Sequence, residues 1–275
     1  MSVQRISAFS MEGQGGNPAG VLISDKLPEA PEMAAIARSV GFSETAFAAP
    51  DADGWRVRYF SPESEVPFCG HATIALGSAL GARFGAGRFN LALNEAQISV
   101  NAELNASGEW SAALMSPPTE TQTLSAELRE GVLEVFGVDA NALDPDMPMV
   151  RASAGADMVI IPLKTRERLA RLDYDLARGK ALLDAHGIIG AYFVHRAAER
   201  KFNVRMAFPT GGVFEDPATG AAAAAFSGWL RDSGRLSGEI EIRQGEDMGA
   251  SSRLIAFAGE TPGAPVRVQG ETRRM

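Results

Sequence analysis

Short apolar runs, broken by turn-forming residues, recur along the whole chain and predict many short β-strands. In the first half the runs are Val3–Phe9, Val21–Ile23, Trp55–Phe60, Asn90–Ala92, Ile98–Asn101 and Ser111–Met115. In the second half they are Asp157–Ile161, Gly190–His195, Phe202–Met206, Ile240–Arg243, Leu254–Ala258 and Val266–Val268. The pattern therefore predicts a chain rich in strands, with fewer helices.

Three helices with ordinary end signals are predicted among these strands. They cover Pro31–Val40, Leu124–Phe136 and Leu176–Ala185, and a glycine follows each within two residues. Two further helices, His71–Arg83 and Thr219–Arg231, are apolar on nearly every side. A helix without a polar face must be surrounded by protein, and the many small side chains here would let strands wrap closely around it.

The two apolar helices lie in similar sequence contexts. RVRYFSP (residues 56–62) precedes the first and NVRMAFP (residues 203–209) precedes the second, about 147 residues later. This repeat predicts an α+β fold of two pseudo-symmetric halves, each a curled, mostly antiparallel sheet around a central buried helix. We expect the halves to be residues 1–117 and 118–275, with the strand at 266–268 a candidate to return to the first half.

Composition narrows the function classes. The chain has 275 residues, 45% of them hydrophobic, and 26 basic against 34 acidic side chains give a net charge of −8. An acidic chain lacks the basic surface of nucleic-acid or anionic-membrane binders, so neither partner is expected. One cysteine and no apolar stretch long enough for a bilayer or a signal peptide predict a cytoplasmic protein.

Common cofactor motifs are missing from the sequence. The three histidines, His71, His186 and His195, have no partner at metal-ligand spacing, and no phosphate-binding Gly-x-x-x-x-Gly-Lys motif occurs. The glycine-rich turn at residues 13–20 has Pro18 where a dinucleotide fingerprint needs glycine. We therefore expect neither a metal nor an organic cofactor.

Five short motifs occur in order along nearly the whole chain. They are GNPA (16–19), SETAF (43–47), CGHAT (69–73), EDPATG (215–220) and QGxxMG (244–249). Together they resemble the PhzF-like family of phenazine biosynthesis proteins, which shares the diaminopimelate-epimerase fold. The resemblance implies two pseudo-symmetric halves with the active site in the cleft between them, a homodimer, and isomerisation by proton transfer without a cofactor.

The resemblance also implies roles for individual residues. Glu44 matches the family's proton-shuttling glutamate, His71 and Asp216 match its assisting residues, and the backbone at Gly70 and Gly220 helps to hold substrate. Cys69 matches one of the two catalytic cysteines of the related epimerases. Pro217 or its neighbour stands where the second would be, so a two-thiol mechanism is excluded, because the chain has a single cysteine.

The residues themselves leave structural alternatives open: Glu44 as an exposed or capped glutamate at a strand end, His71 as a partly buried histidine bonded to backbone, and Asp216 as a helix cap alone. If residues 42–48 form a strand, Glu44 shares a face with apolar neighbours, and a desolvated carboxylate suits general acid/base work. His71 opens a buried helix, where unpaired N–H groups suit an anion. Asp216 followed by Pro217 is a good helix N-cap, so Asp216 is expected to cap the helix while facing substrate.

The expected site is completed by residues beside these groups: Asn17, Ser43, Thr219, Ala221 and Gln244 as substrate-binding. Many family members have serine at the position of Ala221, so one hydrogen bond of about 0.5–1.5 kcal/mol is lost here. We expect an isomerase acting on a small unsaturated or cyclic carboxylate through one carboxylate. Two alternatives remain: a non-catalytic metabolite binder, and an epimerase or racemase with a non-thiol second base.

Overall fold

The computed structural model describes residues 2–52, 54–105 and 108–275. The chain forms two compact units. The first ends at Met115 and also includes Gln269–Met275, and the second is Ser116–Val268. The final residues of the chain therefore belong to the first unit.

The first unit contains two helices and short strands. These are β1 (Gln4–Ser10), β2 (Asn17–Ile23), α1 (Ala30–Val40), β3 (Glu44–Asp51), β4 (Gly54–Phe60), β5 (Glu65–Val66), α2 (Gly70–Phe84), β6 (Gly87–Ala92), β7 (Gln97–Leu104) and β8 (Trp110–Met115).

The second unit has more helices. Its elements are β9 (Glu120–Thr123), α3 (Ala126–Val135), β10 (Val150–Ser153), β11 (Asp157–Leu163), α4 (Arg166–Ala170), α5 (Leu176–Ala185), β12 (Gly190–Ala198), β13 (Lys201–Ala207), β14 (Glu215–Asp216), α6 (Gly220–Asp232), β15 (Gly238–Gln244) and β16 (Ser252–Ala258). The last strand, β17 (Arg267–Arg274), begins here and continues into the first unit.

The sheet of the first unit closes around helix α2. Strands β1 to β4 and β6 to β8 pair in sequence order, with parallel pairing at β2–β3 and β4–β6. β17 then pairs with both β8 and β1. Every residue of α2 from His71 to Gly81 is buried. A Cβ on Gly77 would lie 2.5 Å from the side chain of Val100. The strand therefore packs so closely against the helix that only glycine fits at this position.

The second unit repeats this arrangement. β10–β11 is antiparallel, β11–β12 parallel, β12–β13 and β13–β14 antiparallel, β13–β15 parallel and β15–β16 antiparallel. Helix α6 is buried from Ala222 to Arg231. Helices α3 and α5 cover an additional apolar cluster that includes Val132, Leu183 and Phe193. The order and direction of pairing from β10 to β16 match those from β1 to β7, which confirms the predicted pseudo-symmetric α+β fold.

Most predicted elements are present, and most of their ends shift by three residues or fewer, although β2 begins four residues before the predicted run. The sequence analysis gave β3 only as a conditional strand, and it missed β5, β9, β10 and β14, which have two to four residues each. β9 is exposed along its whole length, and β5 and β14 have only two residues each. β17 extends to Arg274 because it pairs with β1 up to that residue, and its buried positions alternate with partly exposed ones. Within the described ranges, no helix combines the length and apolar character needed to cross a bilayer.

Candidate active site

Glu44 lies where β3 begins, on the edge of the apolar interior of the first unit. It pairs with Ala19 of the parallel neighbour β2. Ala46 and Ala48, which follow on the same face of the strand, are fully buried. The side chain of Glu44 retains 21% of its exposure, so its carboxylate is partly desolvated but still reachable from solvent.

His71 is held at the N-terminus of α2. The first hydrogen bond of this helix runs from the Thr73 N–H to the Cys69 carbonyl, so the N–H groups of Gly70, His71 and Ala72 precede the helical ladder. Thr73 also donates its hydroxyl to the Cys69 carbonyl at 2.7 Å, and that hydroxyl lies 2.7 Å from the buried Tyr59 hydroxyl. These contacts fix the turn that presents His71.

Three reactive side chains meet at this turn. Glu44 Oε2 lies 3.4 Å from His71 Nε2, and Cys69 Sγ lies 3.3 Å from His71 Nδ1. Ser43 Oγ is also 3.4 Å from His71 Nε2. With a proton on Nε2, the imidazole donates to the carboxylate and accepts at Nδ1 from the Cys69 thiol. The arrangement can orient a carboxylate and exchange a proton with it.

The second unit places a different group at the start of α6. Asp216 ends β14, and its Oδ2 accepts a hydrogen bond of 2.5 Å from the Thr219 hydroxyl. The fully buried Gln244 donates from Nε2 to the Asp216 carbonyl at 2.7 Å and to Thr219 Oγ1 at 3.0 Å. Its Oε1 accepts from the Thr219 N–H at 3.2 Å.

Gln244 therefore holds the turn from Asp216 to Thr219. Both hydrogens of its side-chain amide are used within the protein, so its direct contact with substrate stays a prediction. The same turn overturns one expectation: Asp216 is not the N-cap of the helix. α6 begins at Gly220 with Thr219 as N-cap, because Gln244 keeps the preceding residues in an extended turn. The Asp-Pro sequence matched a start signal three residues too early.

An arginine–glutamate ion pair supports each of these turns, buried in the second unit and partly exposed in the first. On the second unit's β13, Arg205 donates from Nε and Nη2 to the two carboxylate oxygens of Glu215, at 2.9 and 2.5 Å. On the first unit's β4, Arg58 makes the same fork to Glu65 at 2.7 and 2.5 Å. Both pairs tie the long strand to the two-residue strand that leads into the helix.

The two units carry different chemistry on this shared scaffold. Phe47 pairs with Arg58 across β3 and β4, and Phe193 pairs with Arg205 across β12 and β13. Phe47 and Phe193 are thus equivalent positions, and three residues before each of them Glu44 corresponds to Gly190. Counting from each helix start, Cys69 corresponds to Thr219 and His71 to Ala221. The glutamate and the histidine are therefore particular to the first unit.

The remaining predicted residues fall at the same two places. In the first unit, Asn17 is a buried residue at the start of β2, whose partner β3 begins with Glu44. In the second unit, Gly220 and Ala221 form the first turn of α6. The structure thus groups Ser43, Glu44, Gly70 and His71 in one unit and Asp216, Thr219, Gly220 and Gln244 in the other.

Sequence reasoning passed over Tyr192, on β12. It faces Met206, which itself faces Asp216 across β13 and β14. Burial, with the nearby Asp216 charge, raises the pKa of the Tyr192 phenol, so the hydroxyl stays protonated. That hydroxyl makes no hydrogen bond to any residue the structure describes. Only the cross-strand register, which the sequence does not give, connects this tyrosine with Asp216.

Comparisons with known proteins agree with this fold and these motifs. The family model for phenazine biosynthesis-like proteins matches residues 6–273. An uncharacterized isomerase of Deinococcus radiodurans is 32% identical over 235 residues, which are 84% of this chain and 76% of the relative. The trans-2,3-dihydro-3-hydroxyanthranilate isomerase of Pseudomonas fluorescens is 32% identical over 258 residues, covering 92% of this chain and 88% of that enzyme.

A solved structure shows the same architecture. The PhzF-family phenazine biosynthesis protein of Bacillus anthracis has a TM-score of 0.87, with 24% identity, covering 99% of this chain and 96% of the other. The fold is of the mixed α+β class, and the motifs and the relatives show that the protein is an isomerase. The chain belongs to the phenazine biosynthesis-like, or PhzF, family.

Proposed function

We propose that this isomerase moves a proton between two carbons of a small unsaturated or cyclic carboxylate, with Glu44 as the single acid/base group and no cofactor. The contact of 3.4 Å between Glu44 Oε2 and His71 Nε2, at the N-terminus of a buried helix, is the observation that carries the proposal. Two relatives that are named isomerases, and that this chain matches over most of their length, support the proposal.

The reaction balances without an outside reagent. Glu44 removes a proton from a carbon next to an unsaturated or carbonyl group, and an O–H bond forms on its carboxyl as the C–H bond breaks. The electron pair shifts the double bond, and the same carboxyl returns a proton to another carbon. His71 keeps the carboxyl oriented throughout, since it contacts Oε2 directly.

The helix start supplies stabilisation for negative charge. The N–H groups of Gly70, His71 and Ala72 lie at the positive end of α2, and no acidic residue occupies its first turn. An intermediate whose charge spreads onto a carboxylate or enolate oxygen suits such donors. In the second unit, the first turn of α6 offers a further set of N–H groups for the same class of ligand, and Asp216 beside it assists the proton transfer, as the resemblance implies.

Ala221 bears on the substrate. It lacks the hydroxyl that the family resemblance predicts at this position, so we propose a carboxylate with one polar group fewer than the substrate named for the Pseudomonas fluorescens isomerase. A test panel therefore contains trans-2,3-dihydro-3-hydroxyanthranilate and simpler unsaturated or cyclic carboxylates.

The test is isomerisation in deuterated water, followed by NMR and mass spectrometry. Wild-type protein should convert one member of the panel and incorporate deuterium at carbon. Glu44→Gln keeps the shape of the side chain but cannot accept the proton, so the rate should fall by about 10²–10⁴. Glu32→Gln, at an exposed position of α1, is the matched control and should keep the wild-type rate.

The other outcomes separate the alternatives. Tight binding of a carboxylate by wild-type protein with no exchange at carbon would indicate a metabolite binder. A product that differs from the substrate only in configuration would indicate an epimerase. A Glu44→Gln variant that isomerises as fast as wild type would falsify the proposal.

A further inference from the structure

We propose that Glu44, Cys69 and His71 form a binding site for a single Zn²⁺ ion. One carboxylate oxygen, one sulfur and one ring nitrogen of these residues all lie within 4.8 Å of one another. Cys69 and His71 are two residues apart in the sequence, and the packing of α2 against β3 brings Glu44 to them.

The Glu44–His71 distance is that of two ligands in a tetrahedral zinc site, and the Cys69–His71 distance is somewhat longer. Bonds of about 2.3 Å to sulfur and about 2.0–2.1 Å to nitrogen and oxygen place two ligands of one ion roughly 3.3–3.6 Å apart. His71 Nε2 lies 3.4 Å from Glu44 Oε2 and 3.9 Å from Cys69 Sγ. Cys69 Sγ is closer to Nδ1, at 3.3 Å, so the Cys69 side chain must rotate about its Cα–Cβ bond to bring the sulfur to the Nε2 side of the ring, where Glu44 already lies.

The ligand types select the metal. Thiolate and imidazole favour zinc over magnesium or calcium, which prefer oxygen ligands. Three protein ligands leave the fourth position open to water. When Zn²⁺ binds, the Cys69 thiol loses its proton to solvent as the zinc–sulfur bond forms, while Glu44 binds as carboxylate and His71 as neutral imidazole.

The surroundings are rigid and reachable. Cys69 and His71 are each 8% exposed, and the Tyr59–Thr73 hydrogen bonds fix the turn that carries them. Ser43 Oγ lies beside the imidazole as an outer hydrogen-bonding partner. The more exposed side chain of Glu44 marks the side from which an ion enters.

One consequence rests on the proposed function. A zinc ion bound to Glu44 removes the base from the reaction, so zinc and isomerisation exclude each other. Zinc bound at this site, which we call the zinc brake, would then inhibit the enzyme.

The first experiment measures zinc binding without any substrate. Zinc is titrated against a chromogenic chelator, and X-ray absorption is recorded on the loaded protein. Wild type should bind one Zn²⁺ per chain, with a sulfur neighbour at about 2.3 Å. Because the chain has one cysteine, a thiolate at that distance identifies Cys69 as the ligand.

Variants test each ligand. Cys69→Ser and His71→Gln should each weaken binding at least tenfold, and circular dichroism checks that both are folded. His186→Gln, on α5's C-terminal side and outside the cluster, should bind as wild type does. Equal affinity in wild type and both ligand variants, or a zinc shell without sulfur, would overturn the proposal.

A second arm separates this proposal from the proposed function. One equivalent of zinc should abolish deuterium incorporation by wild-type protein, and chelation should restore it. If zinc binds through sulfur yet the rate is unchanged, the zinc brake is wrong and the metal site stands. If zinc does not bind but Glu44→Gln is inactive, the metal site is wrong and the proposed function stands.

Discussion

Replacing Glu215 with glutamine should destabilise the second unit far more than Glu65→Gln destabilises the first. The two glutamates make the same fork with an arginine, but their burial differs. Side-chain exposure is 8% and 3% in the Arg205–Glu215 pair, and 23% and 27% in the Arg58–Glu65 pair. The repeat thus supplies a matched comparison within one chain.

The magnitudes follow from burial. Removing one partner of a buried ion pair costs about 3–5 kcal/mol, because the other charge is left uncompensated. A glutamine at 215 keeps one acceptor for Arg205, so we expect a loss near the lower limit, about 3 kcal/mol. The partly exposed pair is screened by solvent, and Glu65→Gln should cost about 1 kcal/mol or less.

Thermal and urea unfolding measure both variants. For a unit of this size, the expected loss in Glu215→Gln lowers Tm by roughly 6–12 °C. Hydrogen exchange should increase in peptides covering β13 and β14. An Arg205→Met/Glu215→Leu double variant should recover much of the stability, because no buried charge remains. Equal losses from Glu215→Gln and Glu65→Gln would refute the argument from burial.

Three further predictions concern other parts of the scaffold. The hydrogen bond from Arg58 lowers the pKa of Glu65 below its usual 4.5. The stability that this ion pair contributes is therefore present above about pH 4.5 and is lost as the pH falls through the lower pKa of the folded protein. Urea unfolding measured against pH should show a smaller loss of stability in acid for Glu65→Gln than for wild type. Gln244→Leu should cost about 1–3 kcal/mol in urea unfolding by leaving the Thr219 N–H unpaired, and an unchanged stability would contradict the role given to Gln244. Gly77→Ala should cost about 1–3 kcal/mol through the clash with Val100, whereas Gly131→Ala, facing a flexible leucine tip, should be neutral or stabilising in thermal unfolding.

Much of the scaffold could be read from local pattern. Helices α2 and α6 lack a polar face, and this pattern correctly predicts that they are buried. The similar RVRYFSP and NVRMAFP segments indicate the repeat. Both patterns lie within short segments of sequence, so they can be recognised without knowing which distant residues are in contact. Strands such as β9 have no such signal, because pairing with β10 and not side-chain burial defines them.

The site was predictable only in part. Motifs indicated Glu44, His71 and Asp216 one at a time, but the contact of Cys69 with His71 depends on the turn geometry at α2. The capping role expected for Asp216 was wrong because a side chain from β15, Gln244, holds the turn, and no local rule includes so distant a partner. Tyr192 was missed for the same reason.

The central claim is that one carboxylate, oriented by His71, carries the proton. Carbon-bound deuterium incorporation into the substrate, measured side by side for wild type, Glu44→Asp and Glu44→Gln, tests it most directly. We predict measurable but slower incorporation for Glu44→Asp, whose carboxylate is displaced by one methylene, and incorporation reduced by at least about 10² for Glu44→Gln. Wild-type incorporation by Glu44→Gln would contradict the account.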